Sequence, residues 1–211
     1  MKLQVALDFG TLDDCQQILR EIGDYVDIVE IGAISTEYGY SALHALKAAF
    51  PDHEYLADIK IADGGEYFAE ELHKHGADYV TVLGVAENET IAGAVKAGKK
   101  TGIKVVVDML GCKNFLERVK ELDEIGVDYI SIHTPADLQA SQTPFEHLKF
   151  ASMIVKHAKL SVAGGINPAN VHEVFPYHPD IVISGSALTG VGNRRTAAKA
   201  LREALDAAER S

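Results

Sequence analysis

Short runs rich in Val, Ile and Tyr recur along this chain, and several are apolar at nearly every position instead of at alternate ones. They cover residues 3–8, 26–32, 55–60, 79–84, 105–109, 129–133, 161–163 and 181–185. A strand with one face in water alternates apolar with polar residues; a strand covered on both faces does not. Such runs therefore predict a parallel sheet packed against helices.

The intervening stretches have helical spacing. Leu12, Cys15, Ile18, Leu19 and Ile22 fall at steps of three and four and define one helix face. Leu43, Leu46, Ala49 and Phe50 repeat the pattern, as do Leu116, Val119 and Leu122, and Ala197, Leu201 and Leu205. Thr11, Asn114 and Asn167 stand at expected helix starts, and Gly23, Gly76, Gly102 and Gly126 at expected helix stops. Gly76-Ala-Asp-Tyr-Val-Thr-Val-Leu-Gly84 is echoed by Gly126-Val-Asp-Tyr-Ile-Ser-Ile-His133. Eight strand–helix units of about 25 residues fit a single-domain α/β fold over 1–211, a (β/α)8 TIM barrel. An open doubly wound sheet is the rival. No Gly-x-Gly-x-x-Gly follows the first strand to support it.

The net charge of −11 carries no basic footprint for nucleic acid and disfavours an anionic membrane surface. No apolar stretch approaches the roughly 20 residues that span a bilayer, and the opening run is too short for a signal peptide. Cys15 and Cys112 form no Cys-x-x-Cys pair, so neither a zinc site nor a redox motif is expected. These features predict a cytoplasmic protein without nucleic-acid or membrane partners. A phosphorylated ligand stays compatible, because backbone amides and one Lys can hold a phosphate.

Polar residues collect at the predicted strand ends, where barrels of this kind carry their chemistry. Asp8, Glu30, Asp58, Lys60, Asp108 and His133 close five apolar runs, and burying them separately is costly. Asp58 and Lys60 are two apart on one strand, which points both into the barrel mouth, with Asp63 just beyond. Lys60 as a Schiff-base nucleophile needs a depressed pKa. Carboxylate neighbours favour the ammonium instead, so Lys60 is read as a fixed charge and proton donor. Glu30 and Asp58 suit Mg²⁺, which takes few protein ligands; the alternative for Glu30 is a carboxylate that only pairs with Lys60. His133 is a candidate general acid/base. Gly164-Gly165 and Gly185-Ser186 occupy the corner where barrels hold phosphate.

The Asp58-x-Lys60-x-x-Asp63 motif, Leu3-Gln4-Val5-Ala6-Leu7-Asp8 and Val29-Glu30-Ile31-Gly32 resemble the orotidine-5′-phosphate decarboxylase superfamily. Val80-Thr-Val-Leu-Gly-Val85, His133-Thr134, Ala163-Gly164-Gly165-Ile166-Asn167 and Ser184-Gly185-Ser186-Ala187-Leu188-Thr189 are similar to its 3-hexulose-6-phosphate synthase family. The sibling 3-keto-L-gulonate-6-phosphate decarboxylases share most polar residues. That family typically has Glu, Arg and Thr where this chain has Asp108, Ala136 and Ala163.

The resemblance implies a Mg²⁺-dependent aldolase that joins formaldehyde to D-ribulose 5-phosphate through a 1,2-enediolate. It implies Glu30 and Asp58 as metal ligands, and catalytic roles for Asp8, Lys60, Asp63, Asp108 and His133. It places phosphate on Gly164, Gly165, Gly185 and Ser186. It further implies a homodimer in which Asp63 reaches the neighbouring subunit's site. The chain departs from the family at Ala33, at 34–40, at Pro135, at Asp137-Leu138-Gln139 and at 190–195. A non-catalytic sugar-phosphate-binding barrel is the alternative of another class.

Overall fold

The computed structural model describes residues 1–8 and 10–210. Eight parallel strands form a closed barrel: β1 (Lys2–Leu7), β2 (Ile28–Ile31), β3 (Glu54–Ile61), β4 (Tyr79–Leu83), β5 (Lys104–Asp108), β6 (Tyr129–His133), β7 (Lys159–Ala163) and β8 (Ile181–Ser184). Each pairs with the next, and β8 returns to β1 through Gln4 opposite Ile183. Closure excludes the open doubly wound sheet.

The α-helices are α1 (Leu12–Ile22), α2 (Ser35–Tyr38), α3 (Tyr40–Ala49), α4 (Gly65–Lys74), α5 (Asn88–Thr101), α6 (Phe115–Ile125), α7 (Phe145–Ile154), α8 (Ser186–Thr189) and α9 (Arg194–Glu209). Helix α1 starts as its sequence dictates. The Thr11 hydroxyl accepts from the Asp14 N–H while the Asp14 carboxylate accepts from the Thr11 N–H. Its Cys15, Ile18, Leu19 and Ile22 are buried. Gly102 and Gly126 end their helices in the left-handed conformation that glycine adopts without strain.

Some local expectations differ. Gly23 stays right-handed and opens a 3-10 turn, Gly23–Tyr25. Asn167 caps no α-helix; its side chain folds an Asx turn onto the Ala169 N–H. The segment that follows is a 3-10 helix, Val171–Tyr177, with Pro176 inside it. Ala49 and Leu116 are exposed, since α3 and α6 are rotated to bury Ala42 and Asp123. The Asp123 carboxylate accepts the Lys156, His157 and Ala158 N–H groups, so its burial is satisfied.

The core has two parts. Most apolar side chains pack between sheet and helices. Inside the barrel, Ile28, Leu56, Tyr79, Val106, Tyr129 and Ile181 form a separate plug. The plug seals the end at which the strands begin, leaving polar residues to line the opposite mouth.

Helices α4 and α5 approach closely at Gly65. A Cβ there stands 1.9 Å from the Thr90 carbonyl oxygen. Gly65→Ala therefore destabilises the fold by about 1–3 kcal/mol, the usual cost of overpacking. A denaturant midpoint unchanged in the variant contradicts the close approach.

Candidate active site

A cavity of about 900 Å³ opens at the carboxyl ends of the strands. Asp8, Glu30, Asp58, Lys60, Asp108, His133, Gly164, Gly165, Gly185 and Ser186 all line it. Asp63 does not. It is exposed in the loop before α4, where its carboxylate accepts the Gly64 N–H at 2.7 Å. A cleft at the opposite end is lined by charges that pair among themselves, including Arg202 with Asp27 and Asp206.

Strand β3 does not run regularly through its charged residues. Ala57 pairs with Val80 and Ile61 with Val82, so Asp58, Ile59 and Lys60 stand against Thr81 alone. Within this bulge Lys60 has φ +48°. A left-handed conformation costs a non-glycine residue about 1–2 kcal/mol. Such strain persists where surrounding contacts hold it. Here the Thr81 hydroxyl accepts the Lys60 N–H at 2.9 Å and donates to Asp58 Oδ1 at 2.7 Å. Lys60 Nζ in turn pairs with Asp58 Oδ2 and lies 3.5 Å from Asp108 Oδ2.

Asp108 connects this pair to His133, whose Nδ1 is 2.9 Å from Asp108 Oδ2. Burial pushes the Asp108 pKa up, but the His133 hydrogen bond, the His133 and Lys60 charges and the Leu110 N–H outweigh it and leave it lowered. An ionised Asp108 accepts only, so Nδ1 carries the imidazole proton and Nε2 is the nitrogen free to act as a base. For Lys60, burial opposes the charge, yet Asp58, Asp108 and Glu30 prevail and raise its pKa. The ammonium form is therefore favoured, which disfavours Schiff-base chemistry.

Acidic side chains outnumber the Lys60 ammonium among the described residues that line the cavity. Glu30 is 8% exposed, and Gln4 Nε2 donates to its Oε2 at 2.6 Å. Burial, then Asp58 and Asp8, raise its pKa well above the ordinary glutamate range. Burial and Asp58 also raise Asp8, against the Ala33 N–H that it accepts at 3.3 Å. Among the described residues no group of three or more His, Cys, Asp or Glu side chains is arranged as a closed metal cage. Mg²⁺ needs less, since it binds through one or two carboxylates and keeps its waters. Glu30 and Asp58, which repel one another at this open cavity, are a donor set of that kind.

Two glycines shape the walls. A Cβ at Gly32 lies 2.0 Å from Asp8 Oδ1, so this position must stay bare for Asp8 to occupy the mouth. Gly164 has φ +108°, and a Cβ there meets the Thr134 carbonyl oxygen at 2.6 Å. Its neighbour Gly165 accepts from the side-chain amides of Asn167 and Asn170. Beside these turns the Ser184 hydroxyl donates to the Ile166 carbonyl at 2.8 Å.

Sequence reasoning missed Gln4, Thr81, Ser131, Ser161 and Gln139, which all line the cavity. A polar residue at an inward position of an apolar strand was the available signal for Gln4, Ser131 and Ser161. Thr81 gave none, because threonine is an ordinary strand residue.

Residues 1–201 match the model of the Orotidine 5'-phosphate decarboxylase / HUMPS family. The chain belongs to that family. It is 39% identical over 208 residues to 3-hexulose-6-phosphate synthase 3 of Staphylococcus saprophyticus, covering 98% of this chain and 99% of the relative. The crystal structure of 3-hexulose-6-phosphate synthase from Salmonella typhimurium superposes with a TM-score of 0.96 at 38% identity, covering 99% of this chain and 100% of the other. For 3-keto-L-gulonate-6-phosphate decarboxylase from Vibrio cholerae the TM-score is 0.86 at 26% identity, with 98% and 97% covered. Asp108, Ala136 and Ala163 all line the cavity.

The raised Glu30 pKa gives a signed prediction. Its folded value lies above its unfolded one, so the folded state holds the proton more tightly. Stability is lost as pH rises from the unfolded value through the folded one. In chelator at neutral pH, Glu30→Gln therefore melts higher than wild type, and the gain disappears as pH falls below the ordinary glutamate range. Mg²⁺ raises the wild-type melting temperature more than that of the variant. Equal melting curves at every pH contradict this account.

Proposed function

We propose that the protein is a Mg²⁺-dependent aldehyde-lyase that condenses formaldehyde with D-ribulose 5-phosphate to D-arabino-3-hexulose 6-phosphate. The carrying observation is the Lys60–Asp108–His133 array beside the Glu30–Asp58 carboxylates. The 3-hexulose-6-phosphate synthases at 38–39% identity, against 26% for the decarboxylase, support the choice of reaction.

In this reading the sugar phosphate rests on the Gly164–Gly165 and Gly185–Ser186 turns, where small residues admit a phosphate to the backbone. His133 Nε2 takes a proton from C1, which leaves a 1,2-enediolate. Mg²⁺, when held by Glu30 and Asp58, supplies positive charge opposite the sugar oxygens where negative charge develops. Lys60 adds a fixed cation and orients the hydroxyls. The C1 carbanion forms the new bond to formaldehyde, and the alkoxide produced takes the proton that His133 Nε2 removed from C1. Asp108 keeps the imidazole in the required tautomer, and Asp8 orients the sugar from the opposite wall. Asp63 serves the neighbouring subunit's site in a homodimer. Its exposure next to the exposed Tyr67 and Phe68 of α4 suits an interface there.

The test is direct. Purified protein with Mg²⁺ consumes formaldehyde only in the presence of ribulose 5-phosphate, and Asp58→Ala abolishes turnover. Release of CO2 from 3-keto-L-gulonate 6-phosphate without formaldehyde consumption transfers the reading to the decarboxylase. Binding of sugar phosphate without either reaction leaves a non-catalytic barrel. For the dimer, mixing inactive Asp63→Ala with inactive Lys60→Ala subunits restores part of the activity. No recovery after demonstrated subunit exchange contradicts a shared site.

A further inference from the structure

We infer that Thr81 is a positioning residue whose hydroxyl fixes the bulge of β3 and thereby sets the Asp58–Lys60 pair for catalysis. Three residues of β3 face this one residue of β4, so the regular ladder is interrupted across the charged stretch. Thr81 is 5% exposed and its hydroxyl bridges both ends of the interruption. It accepts the backbone N–H of Lys60, the group displaced from the ladder. It donates its own proton to Asp58 Oδ1, leaving Oδ2 for the Lys60 ammonium. One hydroxyl thus satisfies a part-buried donor and a part-buried charged acceptor beside the residue whose φ is left-handed. Asp58 and Lys60 are only two residues apart in sequence. Their side chains meet because this bulge brings them together. Valine, the isosteric replacement, keeps the packing and the strand preference but leaves both partners unmet.

This inference rests on the aldolase reading for its kinetic consequence but not for its geometry, so the test has two arms. In the kinetic arm, Thr81→Val lowers kcat for formaldehyde condensation roughly tenfold to a hundredfold, as expected for loss of a hydrogen bond to a charged group and a displaced catalytic pair. The KM for ribulose 5-phosphate changes less than about threefold, because a positioning defect falls on the reacting geometry. Thr81→Ser, which retains the hydroxyl, recovers most of kcat. A KM that rises as much as kcat falls, or a serine variant no better than valine, overturns the role. In the structural arm, the crystal structure of Thr81→Val has the Asp58–Lys60 ion pair opened and Lys60 moved from its left-handed conformation. An unchanged pair and an unchanged Lys60 backbone overturn it. If Thr81→Val is poorly folded, Thr81→Ala replaces it in both arms. Wild-type protein without formaldehyde turnover defeats the aldolase reading alone, and the structural arm then decides the role of Thr81.

Discussion

A single ammonium group, on Lys60, stands among several buried or half-buried carboxylates, and the mouth of the barrel is organised around that imbalance. Asp58 and Asp108 both approach Lys60 Nζ, while Glu30 and Asp8 line the same cavity with pKa values raised by burial and by the neighbouring carboxylates. One cation among four carboxylates cannot make such a site stable by itself, because buried ion pairs barely repay their desolvation. Under the proposed function, a divalent cation bound there offsets this excess.

The rest of the fold serves this arrangement. Continuous apolar strands allow the barrel to be sealed on the outside by helices and at one end by the Ile28–Leu56–Tyr79–Val106–Tyr129–Ile181 plug. Low dielectric around the mouth strengthens each charge interaction there. Several backbone features at the mouth accommodate these side chains. Gly32 is bare to admit Asp8, Gly164 adopts a conformation that side chains avoid, and Lys60 is held left-handed.

The barrel was legible because both of its periodicities are written plainly: uninterrupted Val and Ile runs for the strands, and three–four spacing for the helices. The charged residues at the strand ends were legible because they break those runs. Other features depend on contacts that no local pattern carries. Ala49 and Leu116 fit their predicted helix faces in spacing, yet tertiary packing rotates them outward. The approach of Gly65 to Thr90 joins segments distant in sequence. Asp58 and Lys60 were expected to share a side of a regular strand. They do line one cavity, but through a bulge that alternation does not describe. Thr81, which joins them, looks like any other strand threonine in the sequence.

The central claim is that Glu30 and Asp58 hold a divalent cation within reach of Lys60 and His133. A crystal structure determined with Mg²⁺ and ribulose 5-phosphate measures this most directly. The account predicts one octahedral cation at about 2.1 Å from a Glu30 oxygen and an Asp58 oxygen, with sugar oxygens completing its shell. A sugar phosphate bound in the cavity with no cation on either carboxylate, at saturating Mg²⁺, contradicts it.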